Sequence, residues 1–209
     1  MNFDRVARVY RLLERLVFGE ALQVAREAHL ESVCHQPRVL VLGDGDGRFL
    51  GALLAQRPRA QVDLIEASAK MIEQAKQRVP GGAVVAFEQV DVLECARSDR
   101  YDLIVSHFFL DCFELEQIEQ IVTRFTANLE PGGEWLIADF QIPENGRFWR
   151  LRARCLLWIM YRFFRLMTGL RAPALLDPQP VLEAAGLVLD RRVVSNCGFI
   201  RSDRWKRKR

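Results

Sequence analysis

The stretch Pro37–Leu50 reads PRVLVLGDGDGRFL. The apolar run Val39–Leu42 meets three glycines at alternate positions, Gly43, Gly45 and Gly47, with Asp44 and Asp46 in the gaps. Pro37 stops any helix in front of the run, and a short apolar segment bounded by turn residues reads as a buried strand. Phe49–Gln56 then reads as a helix. A strand, a glycine-rich turn and a helix form the ligand-binding opening of a doubly wound α/β fold. Glycines let the backbone turn tightly and approach a ligand, and the helix start supplies N–H groups. The dinucleotide spacing G-x-G-x-x-G would need its last glycine where Arg48 or Leu50 stands, and no G-K-[ST] follows to make a P-loop. Two aspartates would also repel a pyrophosphate. The expected ligand is nucleoside-like, free of phosphate and cationic. S-adenosylmethionine, with its sulfonium, ammonium and single carboxylate, meets all three conditions.

Outward from this turn, strand and helix patterns alternate. Gln61–Ile65 reads as a second strand, Ser68–Arg78 as a helix, Val84–Gln89 as a third strand and Tyr101–Ser106 as a fourth. Leu115–Leu129 reads as a helix closed by Pro131-Gly132-Gly133, followed by a fifth strand over Glu134–Asp139. Such alternation signals βαβ units and a parallel sheet covered on both faces. The pattern then changes. Residues 147–168 read as one long helix, Pro178–Ala185 as a short one, and Leu187–Val194 with Phe199–Trp205 as an antiparallel hairpin. The expected fold is α/β, a doubly wound, seven-stranded, mostly parallel sheet of Rossmann-like type with an antiparallel C-terminal hairpin. One domain spans 1–209, with an N-terminal helical lid over 1–36, broken near Gly19, and an inserted aromatic and basic helical segment over 143–176.

The composition agrees. The chain has 209 residues, half of them hydrophobic, and a formal net charge of +3. That length suits a single full core, and the charge alone selects no partner. Five cysteines without a C-x-x-C pair argue against a disulfide framework or a zinc site, and for reduced, buried thiols in a cytoplasmic protein. The charged N-terminus is no signal peptide, and no apolar run reaches the roughly 18–20 residues of a spanning helix.

Two further carboxylates fit the expected ligand. Glu66 ends the second strand, where an acid can accept both ribose hydroxyls. Asp91 follows the third strand, where it can accept from an adenine amino group. The pieces VLVLGDGDG (39–47), VDLIEASAKMIEQAK (62–76), EQVDVLE (88–94), YDLIVSHFFLDCF (101–113) and LEPGGEWLIADF (129–140) stand in order over about half the chain. Together they resemble the class I S-adenosylmethionine-dependent methyltransferases. The resemblance implies that Gly43, Gly45 and Gly47 line the cofactor. It implies further that Glu66 holds the ribose and Asp91 the adenine, with Ala67 and Val92 beside them as cofactor-binding residues. The family usually has an acid two places before the first glycine, and Val41 stands there instead. Asp44 or Asp46 is expected to compensate, so that the turn is acidic because its ligand is cationic. The N-terminal FDRVARVYRLLERLVFG resembles the start of methyltransferases that alkylate quinone precursors, which makes Tyr10 a candidate cofactor contact.

Methyl transfer needs positioning and, for a hydroxyl or ring-carbon acceptor, removal of a proton. The fourth strand ends in SHFFLDCF, which puts His107 and Asp111 at the carboxyl edge as candidate catalytic residues. No metal site is expected. In the segment 146–171, at about 100° per residue, Arg147, Arg150, Arg154, Arg162 and Arg165 share one third of the helix circumference, with Arg152 opposite. Aromatic and aliphatic residues fill the remainder. This pairing suits an anionic membrane interface or a hydrophobic acceptor channel. The expected function is methyl transfer from S-adenosylmethionine to a small hydrophobic acceptor, a quinol precursor or lipid-like compound, at the cytoplasmic face of a membrane. The basic tail RWKRKR keeps an RNA or protein methyltransferase as a rival, weakened by the absence of an N/D-P-P-Y/F motif. A noncatalytic scaffold of the same fold is the other rival, for which Val41 speaks. Oligomeric state has no signature here.

Overall fold

The computed structural model describes residues 18–168 and 175–208. A short helix α1 (Ala21–Glu27) follows a left-handed turn at Gly19. The strands are β1 (Arg38–Leu42), β2 (Gln61–Ile65), β3 (Val84–Glu88), β4 (Tyr101–His107), β5 (Leu129–Phe140), β6 (Leu187–Ser195) and β7 (Ile200–Arg207). Between them lie α2 (Arg48–Gln56), α3 (Ala69–Lys76), α4 (Leu115–Asn128), α5 (Arg147–Thr168) and α6 (Gln179–Ala184). All seven strands form one sheet in the order β3-β2-β1-β4-β5-β7-β6. The pairs from β3 to β5 are parallel, while β7 runs antiparallel to both β5 and β6.

Local chemistry explains the boundaries. β1 is covered on both faces, so Val39–Leu42 can be wholly apolar, and all four are buried. Ser68 caps α3 by accepting the Met71 N–H at 3.2 Å. Glu114 and Gln117 close a capping box that starts α4. The fifth strand begins earlier than its sequence suggests. Leu129 pairs with Tyr101 and the ladder resumes at Glu134 with Leu103, so Pro131-Gly132-Gly133 bulges out within the strand. Gly132, at φ +81°, supplies the left-handed turn this needs.

The core has three parts. α4 and α6 cover one face through Leu40, Ile104, Ile118, Phe125, Trp135 and Trp205. α2 and α3 cover the other through Val39, Val41, Phe49, Leu53, Leu64 and Ala75. A third cluster joins α1 and α5 to the end of β5 and the start of β7. α5 docks there through buried Ala153 and Leu157, with Leu156, Met160 and Tyr161 half-buried beside them. The thiols depart from expectation. All five cysteines are free, but Cys34, Cys155 and Cys197 are exposed and only Cys95 is fully buried. Exposed α5 and the loops before β1 and β7 carry these three outside the core.

The strand order reverses between β1 and β4. At such a switch point the loops leaving neighbouring strands diverge and open a crevice at the carboxyl edge. At this edge stand the turn 43–47 after β1 and the segment 108–113 after β4, with Phe109 packed against Gly43.

Candidate functional site

The turn after β1 is made by conformation as much as by composition. Gly43, Gly45 and Gly47 all have positive φ, at +65°, +59° and +80°. A Cβ on Gly43 would stand 2.3 Å from the Phe109 ring, and one on Gly47 would stand 2.6 Å from the Ala75 backbone. Around Gly45 there is open space. The outer glycines are therefore demanded by packing, and the middle one faces the crevice.

The two aspartates of the turn have separate partners. Asp44 is buried and accepts the N–H groups of Phe49 (3.3 Å) and Leu50 (2.8 Å), the first turn of α2. Burial raises its pKa to about 6, against the pull of those N–H groups and of Arg26. Asp46 pairs with Arg78 at 2.9 Å and Arg48 at 3.3 Å, tying the end of α3 to the turn. Both acids thus have internal partners, Asp44 in the N–H groups of α2 and Asp46 in two arginines.

Glu66, at the end of β2, is only 9% exposed. Its carboxylate accepts the Ser68 N–H at 2.9 Å and is also approached by the N–H groups of Gly45 and Ala67. Burial still dominates and lifts its pKa to about 7. Glu66 and the glycine turn therefore share one wall of the crevice. Ala67 beside it is exposed. Asp91 is half-buried, accepts the Leu93 N–H at 3.1 Å and opens the turn after β3, with Val92 buried next to it. Tyr10 lies outside the described residues.

The structure separates His107 from Asp111. The His107 ring turns to the α2 face, edge-on to Phe49 at 4.7 Å. Burial, then the charge of Arg26, holds its pKa well below the ordinary value, so it is a neutral core imidazole. Phe108 follows with φ +51°, an uncommon conformation for a non-glycine residue. Phe140 and Arg26 hold its ring in place, each about 5.1 Å away.

Asp111 lies across the edge with two residues that sequence reasoning missed. Asp139, near the end of β5, is 1% exposed and accepts the Phe140 N–H at 2.8 Å. The backbone N–H of Asp111 also points to it. Tyr161 reaches over from α5 and donates its hydroxyl to the Asp111 carbonyl at 3.2 Å. Burial pushes the Asp111 carboxyl up to about 6. Burial, and then the neighbouring Asp111, push the Asp139 pKa well above its ordinary value. Two carboxyls with raised pKa values thus stand close together at this edge, Asp111 about 6 and Asp139 above its ordinary value. Asp139 had a signal, being an acid at the end of a predicted strand. Tyr161 had none beyond its place in a long helix.

The residues of the crevice suit a cationic nucleoside cofactor. An open backbone cradle stands at Gly45, one buried carboxylate ends β2 beside it, and the arginines at the turn, Arg48 and Arg78, are paired with Asp46. Among the described residues no group of three metal-ligating side chains could hold a metal ion, and no helix is long and apolar enough to cross a membrane.

Comparison with known proteins agrees with the fold. Residues 39–133 match the family described as "Methyltransferase domain". The chain is 30% identical over 135 residues to a malonyl-[acyl-carrier protein] O-methyltransferase of Paenibacillus sp. (strain JDR-2), covering 61% of this chain and 48% of that protein. It is 32% identical over 108 residues to a trans-aconitate 2-methyltransferase of Methylobacterium nodulans, covering 52% and 39%. The chain thus spans about half the length, or less, of these curated relatives. Among solved structures, the N-methyltransferase NodS of Bradyrhizobium japonicum WM9 with S-adenosyl-L-homocysteine aligns with a TM-score of 0.67 at 18% identity, over 91% of this chain and 87% of that one. CalO1, a methyltransferase of calicheamicin biosynthesis also bound to S-adenosylhomocysteine, aligns at 0.69 and 22%, over 98% and 59%. At these identities the structures establish a shared fold.

Proposed function

We propose, for a chain that carries a class I S-adenosylmethionine-dependent methyltransferase domain, that it transfers a methyl group to the hydroxyl of a small hydrophobic acceptor, a quinol precursor or lipid-like compound, at a membrane surface. The observation that carries this reading is the shared wall of Glu66 and the open Gly45 backbone at the sheet's switch point. S-adenosylmethionine, when bound, supplies a methyl on a cationic sulfur, open to in-line displacement.

The chain's own residues divide the remaining work. Glu66 accepts the ribose hydroxyls, with Ala67 beside it. Asp91 and Val92 receive the adenine. Gly43, Gly45 and Gly47 let the backbone close on the methionine end. Asp46 is neutralised by two arginines, so of the two turn acids Asp44 is the one assigned to the ligand's ammonium. Asp44→Asn is accordingly expected to weaken S-adenosylmethionine binding by about tenfold, the worth of one charge-assisted hydrogen bond. Asp46→Asn should leave it unchanged. Equal affinity in both variants, measured by calorimetry, would remove any cofactor role from the turn's acidity. Asp111 takes the acceptor's proton, since a carboxyl near 6 is ionised at neutral pH yet basic enough to work. Asp139 and Tyr161 are positioning residues that fix Asp111. His107 is assigned to the core.

The acceptor class rests on α5. Its outward side exposes Phe148 (68%), Trp158 (67%), Leu151 and Ile159 beside the exposed Arg147, Arg150, Arg154, Arg162 and Arg165. Arg152 is half-buried and stacks on Trp149. Exposed aromatics among arginines, with no acid on the helix, suit an anionic interface worth about 1 kcal/mol per arginine. The burial of aromatics adds a part that salt does not screen. The protein is expected to sediment with anionic vesicles more than with neutral ones, and moderate salt should weaken this only partly. It should also move labelled methyl from S-adenosylmethionine into a lipid extract. Equal sedimentation with both vesicle types would leave α5 as a structural lid, and a lipid extract without label would remove the acceptor class.

A further inference from the structure

Resting on that reading of the acceptor, we propose that the α5 groove formed by Arg147, Arg150, Leu151 and Arg154 binds a phosphate ester on the acceptor itself, so that an anionic amphiphile is gripped at its headgroup and methylated farther along its length. The groove is open to solvent, has a volume of about 320 Å³ and is lined by these four side chains. The three arginines stand at i, i+3 and i+7, on successive turns of one stripe. No Asp or Glu occurs anywhere in Arg147–Thr168.

The contrast with other arginines of the chain is informative. Arg78 is paired with Asp46, Arg192 with Asp203, Arg201 with Asp177 and Arg204 with Asp190. Among the described residues, Arg147, Arg150 and Arg154 take part in no such pair. Planar guanidinium forks lining one groove suit the oxygens of a phosphate, which such forks can bind bidentately. Leu151 in the groove, with exposed Phe148 and Trp158 on adjoining faces, gives the ligand an apolar part as well.

Position along the helix links the groove to the chemistry. At about 100° per residue Tyr161 falls on the same stripe as Arg150 and Arg154. Tyr161 is the residue that bonds Asp111. With a rise of about 1.5 Å per residue, Arg154 lies roughly 10 Å and Arg150 roughly 16 Å along the axis from Tyr161. The phosphate and the methylated atom of the acceptor should be separated by about that span. A free inorganic anion would use the arginines but have no part to lay along the helix.

The test uses the full chain loaded with S-adenosylhomocysteine and titrated calorimetrically with dihexanoyl phosphatidic acid, a short-chain phosphate monoester. It is expected to bind about tenfold or more tightly than dihexanoylglycerol, and about tenfold or more tightly than inorganic phosphate. The triple variant R147Q/R150Q/R154Q should lose that preference. The double variant R162Q/R165Q, altered on the same helix outside the groove, should keep it. All five side chains are exposed, so neither variant disturbs the core. Equal binding of the neutral glycerolipid, equal binding of inorganic phosphate, or equal losses in the two variants would overturn the proposal. Failure of S-adenosylhomocysteine itself to bind would instead overturn the methyltransferase reading, while the phosphatidate titration would still report on the groove.

Discussion

Asp111→Asn is expected to slow methyl transfer by about 10²–10⁴-fold, the usual worth of a positioned general base. Affinity for S-adenosylhomocysteine should stay close to that of the parent. The substitution is clean because Tyr161 bonds the Asp111 carbonyl and not its side chain, so the loop keeps its anchor. Asp139→Asn should be much milder. Burial and the charge of Asp111 raise the Asp139 pKa well above its ordinary value and so favour its neutral form, of which asparagine is an isostere. The pH profile carries the sign. The base works only when ionised, so the rate should rise with pH through about 6 and fall below it, in line with the raised Asp111 carboxyl. A flat profile over this range, or an Asp111→Asn variant with near-parental turnover, would show that another group takes the proton or that none needs to.

Glu66→Gln is expected to divide binding from stability. One charge-assisted hydrogen bond to the ribose is worth about 1.5–3 kcal/mol, so affinity for S-adenosylhomocysteine should fall by about tenfold or more. The unloaded protein should respond in the other direction. Burial raises the Glu66 pKa to about 7 from an ordinary value of 4.5. Between these values the folded chain holds a proton that the unfolded chain has released, so stability from this group falls as pH rises. The penalty is absent below about 4.5 and complete above about 7. Glutamine removes it. Melting of the unloaded variant should therefore rise above the parent's at pH 8 and match it near pH 4. The same gain at both pH values would place the effect in packing and not in the buried charge.

The sheet was legible because its strands obey local rules. Val39–Leu42 is apolar throughout since β1 is covered on both faces, and Gln61–Ile65 has the bounds expected of it. Only Pro131-Gly132-Gly133 misled, because a bulge inside β5 uses the same residues as a chain reversal. Of the candidate site, what was legible is the backbone turn at Gly43, Gly45 and Gly47, all at positive φ, and the buried carboxylate that ends β2 at Glu66. It was less legible where side-chain direction decides. His107 and Asp111 are four residues apart in sequence, yet the β4 pleat sends the His107 ring to Phe49 while the following turn brings Asp111 to Asp139. The two turn aspartates raise the same difficulty. Their spacing suggests a cationic ligand, but partners such as the Leu50 N–H and Arg78 appear only once the chain is folded. Tyr161 depends on where α5 crosses the sheet edge, which no local pattern encodes.

The central claim is that the crevice walled by the Gly43–Gly47 turn and Glu66 holds a phosphate-free nucleoside that carries a methionine-type ammonium. Calorimetric titration of the full chain with S-adenosylhomocysteine, and in parallel with NAD, tests it most directly. The account expects one S-adenosylhomocysteine bound per chain and no measurable binding of NAD. Absence of S-adenosylhomocysteine binding by the folded protein, or NAD binding of equal strength, would contradict it.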